Sequence, residues 1–168
     1  MALFKNDGFV ADPWRTLREG ESAPPSGHAI FPLDWWKQER DAFAGSHAPL
    51  GLRLEPDARL EDIVDDLPRF ALIAIVFPKF GDGRGFSLAH LLRTRHGFTG
   101  EIRATGAVLF AQWRAMARSG FDAFEIVDPA TLRALQAGRR PVVTHAYQSG
   151  PGGDRPTARR RGWRTAGL

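Results

Sequence analysis

The 168-residue sequence contains no cysteine. The protein therefore forms no disulfide, binds no metal through thiolates, holds no iron–sulfur cluster on its own cysteines and runs no thiol relay. This absence excludes several classes of redox mechanism before any motif is considered.

Long apolar runs are also absent. No segment approaches the roughly 18 consecutive apolar residues that a membrane-spanning helix needs. The first residues, MALFKNDGFVADPW, lack the basic flank and the apolar core of a signal peptide. We therefore expect a cytoplasmic protein with no membrane partner.

The sequence has a net charge of +4, but it lacks an excess of basic residues outside its last 20 residues. Residues 149–168 hold five arginines and one aspartate, so the remaining 148 residues carry 18 basic and 18 acidic side chains. A folded nucleic-acid binder keeps a basic footprint on its body. Nucleic acid is therefore an unlikely partner, and the glycine- and arginine-rich residues 149–168 are expected to form a disordered basic tail.

What the sequence does contain is a regular alternation of short apolar runs and helical segments. Strands are predicted to begin near residues 28, 50, 70, 101 and 122, with helices over 33–44, 60–67, 87–97, 108–118 and 131–137. A sixth strand is predicted at PVVTHAYQ. Such alternation favours a mainly parallel sheet of five or six strands with flanking helices, an open α/β sheet of flavodoxin size. Part of a (β/α) barrel is the alternative.

The length suits one domain. We expect an irregular N-terminal arm or hairpin over residues 1–27, the α/β domain over 28–148 and the tail over 149–168. Chemistry is expected at the carboxyl ends of the strands, because ligands of open parallel sheets bind there.

The loop FPKFGDGRGFS, from Phe77 to Ser87, follows the most apolar strand and precedes a helix. Its glycines allow close approach of a ligand, the helix offers free N–H groups, and the guanidinium of Arg84 can bind an oxyanion with two hydrogen bonds. The pattern therefore predicts a site for phosphate, sulfate, sulfite or a carboxylate. The alternative is a tight turn in which Asp82 and Arg84 pair with each other. The string is neither a P-loop nor a dinucleotide fingerprint, so no cofactor is assigned.

Other polar residues follow the remaining strands and would form a mixed rim around this loop: Asp34, Glu55, Asp57, Arg103, Thr105, Glu125 and Asp128. The five histidines show no ligand spacing, and no metal site is predicted. The predicted anion-binding or docking residues are Lys79, Asp82, Gly83, Arg84, Gly85, Ser87, Arg103, Thr105 and Gly106. No catalytic residue is assigned.

The run FPKFGDGRGFSLAHLLRTRHG, followed by GEIRATG and RSGFDAFE, resembles the bacterial family called domain of unknown function 934. Its members are small proteins often encoded beside assimilatory sulfite reductase, and some are labelled oxidoreductases of sulfite reduction. The resemblance spans roughly residues 28–148. It implies a place in sulfite assimilation and sulfite reductase as a partner.

The sequence departs from the family pattern at four positions. Members carry an acid directly after the glycine of RAxG, an Arg-Asp pair before the glutamine, and commonly a cysteine before GFD. Here these positions hold Ala107, Phe110 with Ala111, and Ser119. The chain therefore lacks groups that would be catalytic candidates in its relatives.

Three functions follow as hypotheses. The first is an accessory protein of assimilatory sulfite reduction that binds a small oxyanion or docks on the reductase through the loop from Lys79 to Ser87. The second is an oxidoreductase that uses a borrowed flavin or nicotinamide. The third is a regulatory or scaffolding domain. The sequence leaves open whether the protein is an enzyme.

Overall fold

The computed structural model describes residues 2–18, 21, 28–43 and 48–139. Within them the chain forms one curled, open sheet of eight strands with helices packed against it. The strands are β1 (Ala2–Lys5), β2 (Gly8–Val10), β3 (Arg15–Thr16), β4 (Ala29–Pro32), β5 (Leu50–Leu54), β6 (Phe70–Phe77), β7 (Glu101–Gly106) and β8 (Ala123–Ile126). The helices are α1 (Leu33–Glu39), α2 (Arg84–Thr94), α3 (Trp113–Ser119) and α4 (Pro129–Gln136).

The spatial order of the strands is β2-β1-β8-β7-β6-β5-β4-β3. Strands β3 to β8 run parallel and in chain order, whereas β1 pairs antiparallel with both β2 and β8. The prediction of five or six mainly parallel strands was therefore wrong, because the first 16 residues contribute three strands that have little apolar patterning. The unbroken order of β3 to β8 is that of a barrel section rather than of a flavodoxin sheet, whose strand order reverses.

The two faces of the sheet are packed differently. Ile73 and Ile75 of β6 belong to the main core, together with the buried residues of all four α-helices. The alternate residues Leu72 and Ala74 belong to a second, small cluster that lies against Trp14. We call this second side the open face. It is covered in part by Trp14 of the segment between β2 and β3, and Arg53, Arg103, Thr105 and Glu125 also lie on it.

The segment predicted as a helix over 60–67 forms two 3-10 turns instead, Leu60–Asp62 and Val64–Arg69. Leu60, Ile63, Val64 and Leu67, whose helical spacing predicts one buried stripe, are buried except for Val64, which is half-buried. The α-helix itself does not form, because Pro68 lacks an N–H group and disfavours helical geometry in the residue before it.

The other predicted helices are present with shifted bounds. The helix after the central loop begins at Arg84 and not near Ser87, so the second half of the glycine loop is helical. The helix predicted over 108–118 consists of the 3-10 turn Phe110–Gln112 followed by α3. The helix predicted over 33–44 consists of α1 followed by the 3-10 turn Arg40–Phe43.

No helix within the described residues is both long and apolar enough to cross a membrane. The predicted strand PVVTHAYQ and the predicted basic tail lie outside the described residues.

Candidate functional site

The loop after β6 is fastened by an ion pair within it. Asp82 is only 6% exposed, and Arg84 donates to it from Nε at 3.0 Å, from Nη2 at 2.7 Å and from its backbone N–H at 3.2 Å. The hydrogen bonds from Arg84 lower the pKa of Asp82 from 3.8 to about 2, against the opposing effect of burial. The same pairing raises the pKa of Arg84. The two charged side chains therefore bind each other, as in the interpretation of the loop as a tight turn.

The three glycines of this loop have different roles. A Cβ atom added to Gly85 would lie 2.7 Å from Cζ of Phe77, so glycine is needed where α2 packs on β6. At Gly81 and Gly83 the same atom would meet nothing within 4 Å, and neither residue has a positive φ. These two glycines expose backbone without being required by the fold.

Three other residues of the loop face solvent. Lys79 and Ser87 are exposed, and the side chain of Phe80 is 54% exposed. The carbonyl oxygen of Phe80 accepts a hydrogen bond from Nε2 of Gln112 at 2.9 Å. This bond ties the loop to the connection between β7 and α3, so that Phe80 is held outward on an anchored backbone.

Arg103 does not belong to this loop. It lies on the open face of β7 and is 1% exposed. Its guanidinium binds the carboxylate of Asp12 through Nη1 at 2.7 Å and Nη2 at 3.1 Å, and Nε donates to Glu101 at 3.0 Å. Glu101 also accepts from Nζ of Lys5 at 2.6 Å. This neutral cluster of four charges holds the N-terminal residues against the sheet.

Gly106 ends β7 close to β6. Its φ is +87°, and a Cβ atom there would lie 2.5 Å from the carbonyl oxygen of Phe77. That oxygen already accepts a 2.7 Å hydrogen bond from the N–H of Ala107. Gly106 is therefore required by backbone conformation and by close approach, and it separates the loop from a cavity on the open face.

The open-face cavity has a volume of about 310 Å³ and lies at the carboxyl ends of β5 to β8. Its polar lining consists of Arg53, Thr105 and Glu125, with Thr16 of β3 at one side. Ala74 and Val76 of β6 also line it. Such positions are where ligands of parallel sheets bind, and the volume is at the lower end of the range for small-molecule sites.

Glu125 differs from the other acids of the open face. Burial raises the pKa of its carboxyl group. The positive charges of Arg103 and Arg53 oppose this shift, and the negative charge of Asp12 adds to it. Among the described residues its carboxylate has no hydrogen bond and no ion pair. It is a carboxyl group at a cavity wall that no described residue contacts by a hydrogen bond or an ion pair.

A larger hollow of about 460 Å³ lies between α1 and the segment after β5. Its charges pair across it: Nζ of Lys37 lies 2.6 Å from Oδ2 of Asp62, and Nη2 of Arg53 lies 2.9 Å from Oε1 of Glu55. The hydrogen bond from Lys37 lowers the pKa of Asp62. Arg53 lines this hollow as well as the open-face cavity, and the pairing of Lys37 with Asp62 makes the hollow the weaker candidate for a charged ligand.

The predicted site residues thus fall into three places. Lys79, Asp82, Gly83, Arg84, Gly85 and Ser87 form the loop, Thr105 and Gly106 line the open-face cavity, and Arg103 lies in the buried charge cluster. Sequence reasoning placed Glu125 in a polar rim but missed Arg53 and Thr16. Arg53 has a detectable signal, because it is the only charged residue in the strand LGLRL.

Comparison with known families gives a match over most of the chain. The sequence model of the family described as "Bacterial protein of unknown function (DUF934)" matches residues 51–158. The chain belongs to this family. The match includes the loop and, in the cavity, Arg53, Thr105 and Glu125, whereas β1 to β4 precede it. A comparison with curated proteins gives no match.

Proposed function

We propose that this DUF934 protein is an accessory protein of assimilatory sulfite reduction that docks on the reductase through the loop from Lys79 to Ser87. The resemblance described above suggests the pathway, and the family description itself assigns no function. The geometry of the loop supports docking in preference to oxyanion binding.

We prefer docking to oxyanion binding because Asp82 pairs with Arg84. An oxyanion at Arg84 would lie beside a buried carboxylate that already occupies Nε and Nη2 and that, with a pKa of about 2, is ionised at any physiological pH and repels an anion. A protein partner need not place an anion there. It can contact the exposed part of the paired Arg84, whose side chain is 60% exposed.

A mostly apolar hollow lies beside the loop. It is lined at the carboxyl edge by Pro78, Ala107, Val127 and Pro129 together with Asp128, and Val127 is 55% exposed. Exposed aromatic side chains on a rigid backbone are typical of the residues that dominate binding energy at protein interfaces. We call Pro78, Phe80, Ala107, Val127 and Pro129 the edge patch.

The family departure at position 107 fits the same interpretation. Relatives are expected to carry an acid there, and in this chain Ala107 lines the hollow of the edge patch. The substitution removes a charge that would have to be desolvated when a partner covers the edge.

The test is binding of the full chain to purified assimilatory sulfite reductase, measured by biolayer interferometry. Phe80→Ala is expected to weaken binding by at least tenfold, the cost of a central aromatic contact. Lys79→Ala is expected mainly to slow association and to reduce its salt dependence.

Phe9→Ala is the matched control, because Phe9 on β2 is also partly exposed, at 40%, and lies on a strand remote from the loop in the sheet order. It is expected to bind like the wild type. Absence of binding by the wild-type chain, or equal losses for Phe80→Ala and Phe9→Ala, would contradict the proposed docking role.

A further inference from the structure

The open-face cavity owes its shape to a contrast in side-chain size. The register places Arg53, Ala74 and Arg103 in one row across β5, β6 and β7. Val76 and Thr105 form the next row, since they are paired partners. Because β6 carries only small side chains at these positions, a hollow remains above it between the longer side chains of the outer strands.

The polar groups of this hollow come from opposite sides. Arg53 lies on β5 and Glu125 on β8, three strands apart and two residues further along by the register, so their Cα atoms are roughly 16 Å apart at the usual spacings. Both side chains line the cavity. Thr105 lies on β7 between them and presents its hydroxyl group on the same face.

These groups have hydrogen-bonding capacity that the fold does not use. In the part of the chain that the structure describes, the carboxylate of Glu125 and the hydroxyl of Thr105 have no hydrogen-bond partner. Arg53 contacts Glu55 through Nη2, and a guanidinium has five N–H donors in all. The neighbouring Arg103 differs, because it is bonded to two carboxylates.

The groups that line the cavity indicate which functional groups a ligand needs. The remaining donors of Arg53 suit a carboxylate, which accepts two parallel hydrogen bonds from a guanidinium. An ionised Glu125 only accepts hydrogen bonds, so the group that meets it has to be a donor. The apolar surface of Ala74 and Val76 suits a short carbon skeleton between the two polar ends.

We propose that the open-face cavity binds a small hydroxy- or amino-carboxylic acid, with its carboxylate on Arg53 and its hydroxyl or ammonium group on Glu125 and Thr105. This site is separate from the docking loop, and the inference does not depend on the docking role.

The experiment is isothermal titration calorimetry of the full chain at pH 7 with four probes. Glycerate carries an anion and hydroxyl donors, and serine carries an anion and an ammonium donor. Propionate has the anion alone, and glycerol has the hydroxyl donors alone. Glycerate or serine is expected to bind at least tenfold more tightly than propionate and glycerol. Equal or undetectable binding of all four probes would overturn the proposal.

Variants then assign the contacts. Arg53→Gln and Glu125→Gln are each expected to weaken binding of the preferred probe by at least tenfold, and Thr105→Val by a smaller factor. If the ligand is an amino acid, Glu125→Gln weakens serine more than glycerate, because an amide lacks the charge that an ammonium group requires.

The matched controls are Arg95→Gln and Glu61→Gln, which make the same chemical changes at exposed positions. Both are expected to bind as the wild type does. Melting curves identify any variant that fails to fold. If Arg53→Gln or Glu125→Gln fails to fold, the affinity of Thr105→Val, which nearly conserves side-chain volume, is compared with that of the wild type instead. Wild-type affinity in all three cavity variants would refute the assignment.

Discussion

The loop after β6 and the open-face cavity lie at the same edge of the sheet, on the two sides of Gly106, and each contains an arginine and a carboxylate. In the loop, Arg84 and Asp82 are two residues apart and bind each other. In the cavity, Arg53 and Glu125 stand on strands three places apart, and the carboxylate has no partner among the described residues. The difference indicates that the two charges of the loop bind each other, whereas the carboxylate of Glu125 remains available to a ligand.

The largest effect is expected from Arg103→Leu, which removes the support beneath the cavity. The substitution leaves Asp12 without its bidentate partner and Glu101 with only Lys5. Removing one member of a buried ion pair typically costs about 3 kcal/mol or more. We expect a loss of about that size in the free energy of unfolding, measured by denaturant titration.

The control for Arg103→Leu is Arg53→Leu, which lies on the same open face of the sheet. Arg53 is partly exposed and pairs only at the surface with Glu55, so the expected change is below about 1 kcal/mol. Similar losses for the two arginine variants would mean that the charge cluster does not hold the N-terminal residues.

Gly106→Ala tests the boundary between the two regions. The added methyl group would require a strained positive φ and would approach the carbonyl oxygen of Phe77 to 2.5 Å. A loss of roughly 2 kcal/mol is expected in the free energy of unfolding. Gly81→Ala, in open space within the loop, is expected to change it by less than about 0.5 kcal/mol.

Asp82→Asn is expected to destabilise the protein at neutral pH by less than Gly106→Ala. Because the folded pKa of Asp82 is depressed, its ionised form contributes stability above pH 3.8, and this contribution disappears as the pH falls towards 2. The wild-type advantage over Asp82→Asn in thermal melts should therefore shrink between pH 5 and pH 2. A gap that is independent of pH would contradict the pairing.

The smallest effect, of opposite sign, is expected from Glu125→Gln. Since the folded pKa of Glu125 is raised, its ionisation is less favourable in the folded chain than in the unfolded chain. The associated penalty is absent below pH 4.5 and appears as the pH rises through the folded pKa. The glutamine variant should melt slightly above the wild type at pH 7 and equally with it at pH 4. A lower melting temperature at pH 7 would show that Glu125 is stabilised by a partner.

The sequence predicted β4 to β8 well because their signals are local, and it missed β3. Apolar runs such as FALIAIVF locate β6 without knowledge of the rest of the chain, and the glycine after α3 marks the end of that helix, where Gly120 has a φ of +106°. The helix predicted over 60–67 was wrong because the buried stripe is common to α and 3-10 geometry, and Pro68 decided between them.

The site was harder to predict because its contacts are distant in sequence. The pair of Asp82 and Arg84 was visible as an alternative, since only two positions separate them. The pairing of Asp12 with Arg103 spans 91 residues and depends on how the N-terminal segment crosses the sheet. The cavity likewise arises from small residues on one strand between long ones on others, which no single stretch of sequence encodes.

The most direct measurement of the contrast between loop and cavity is a carbon-detected NMR titration of the side-chain carboxyl groups of Asp82 and Glu125 in the full chain. The account predicts that Asp82 titrates near pH 2, because Arg84 is bound to it, and that Glu125 titrates above the 4.5 of an ordinary glutamate. An Asp82 that titrates near 3.8, or a Glu125 that titrates at or below 4.5, would contradict the central claim that Asp82 and Arg84 bind each other while the carboxyl group of Glu125 has no partner among the described residues.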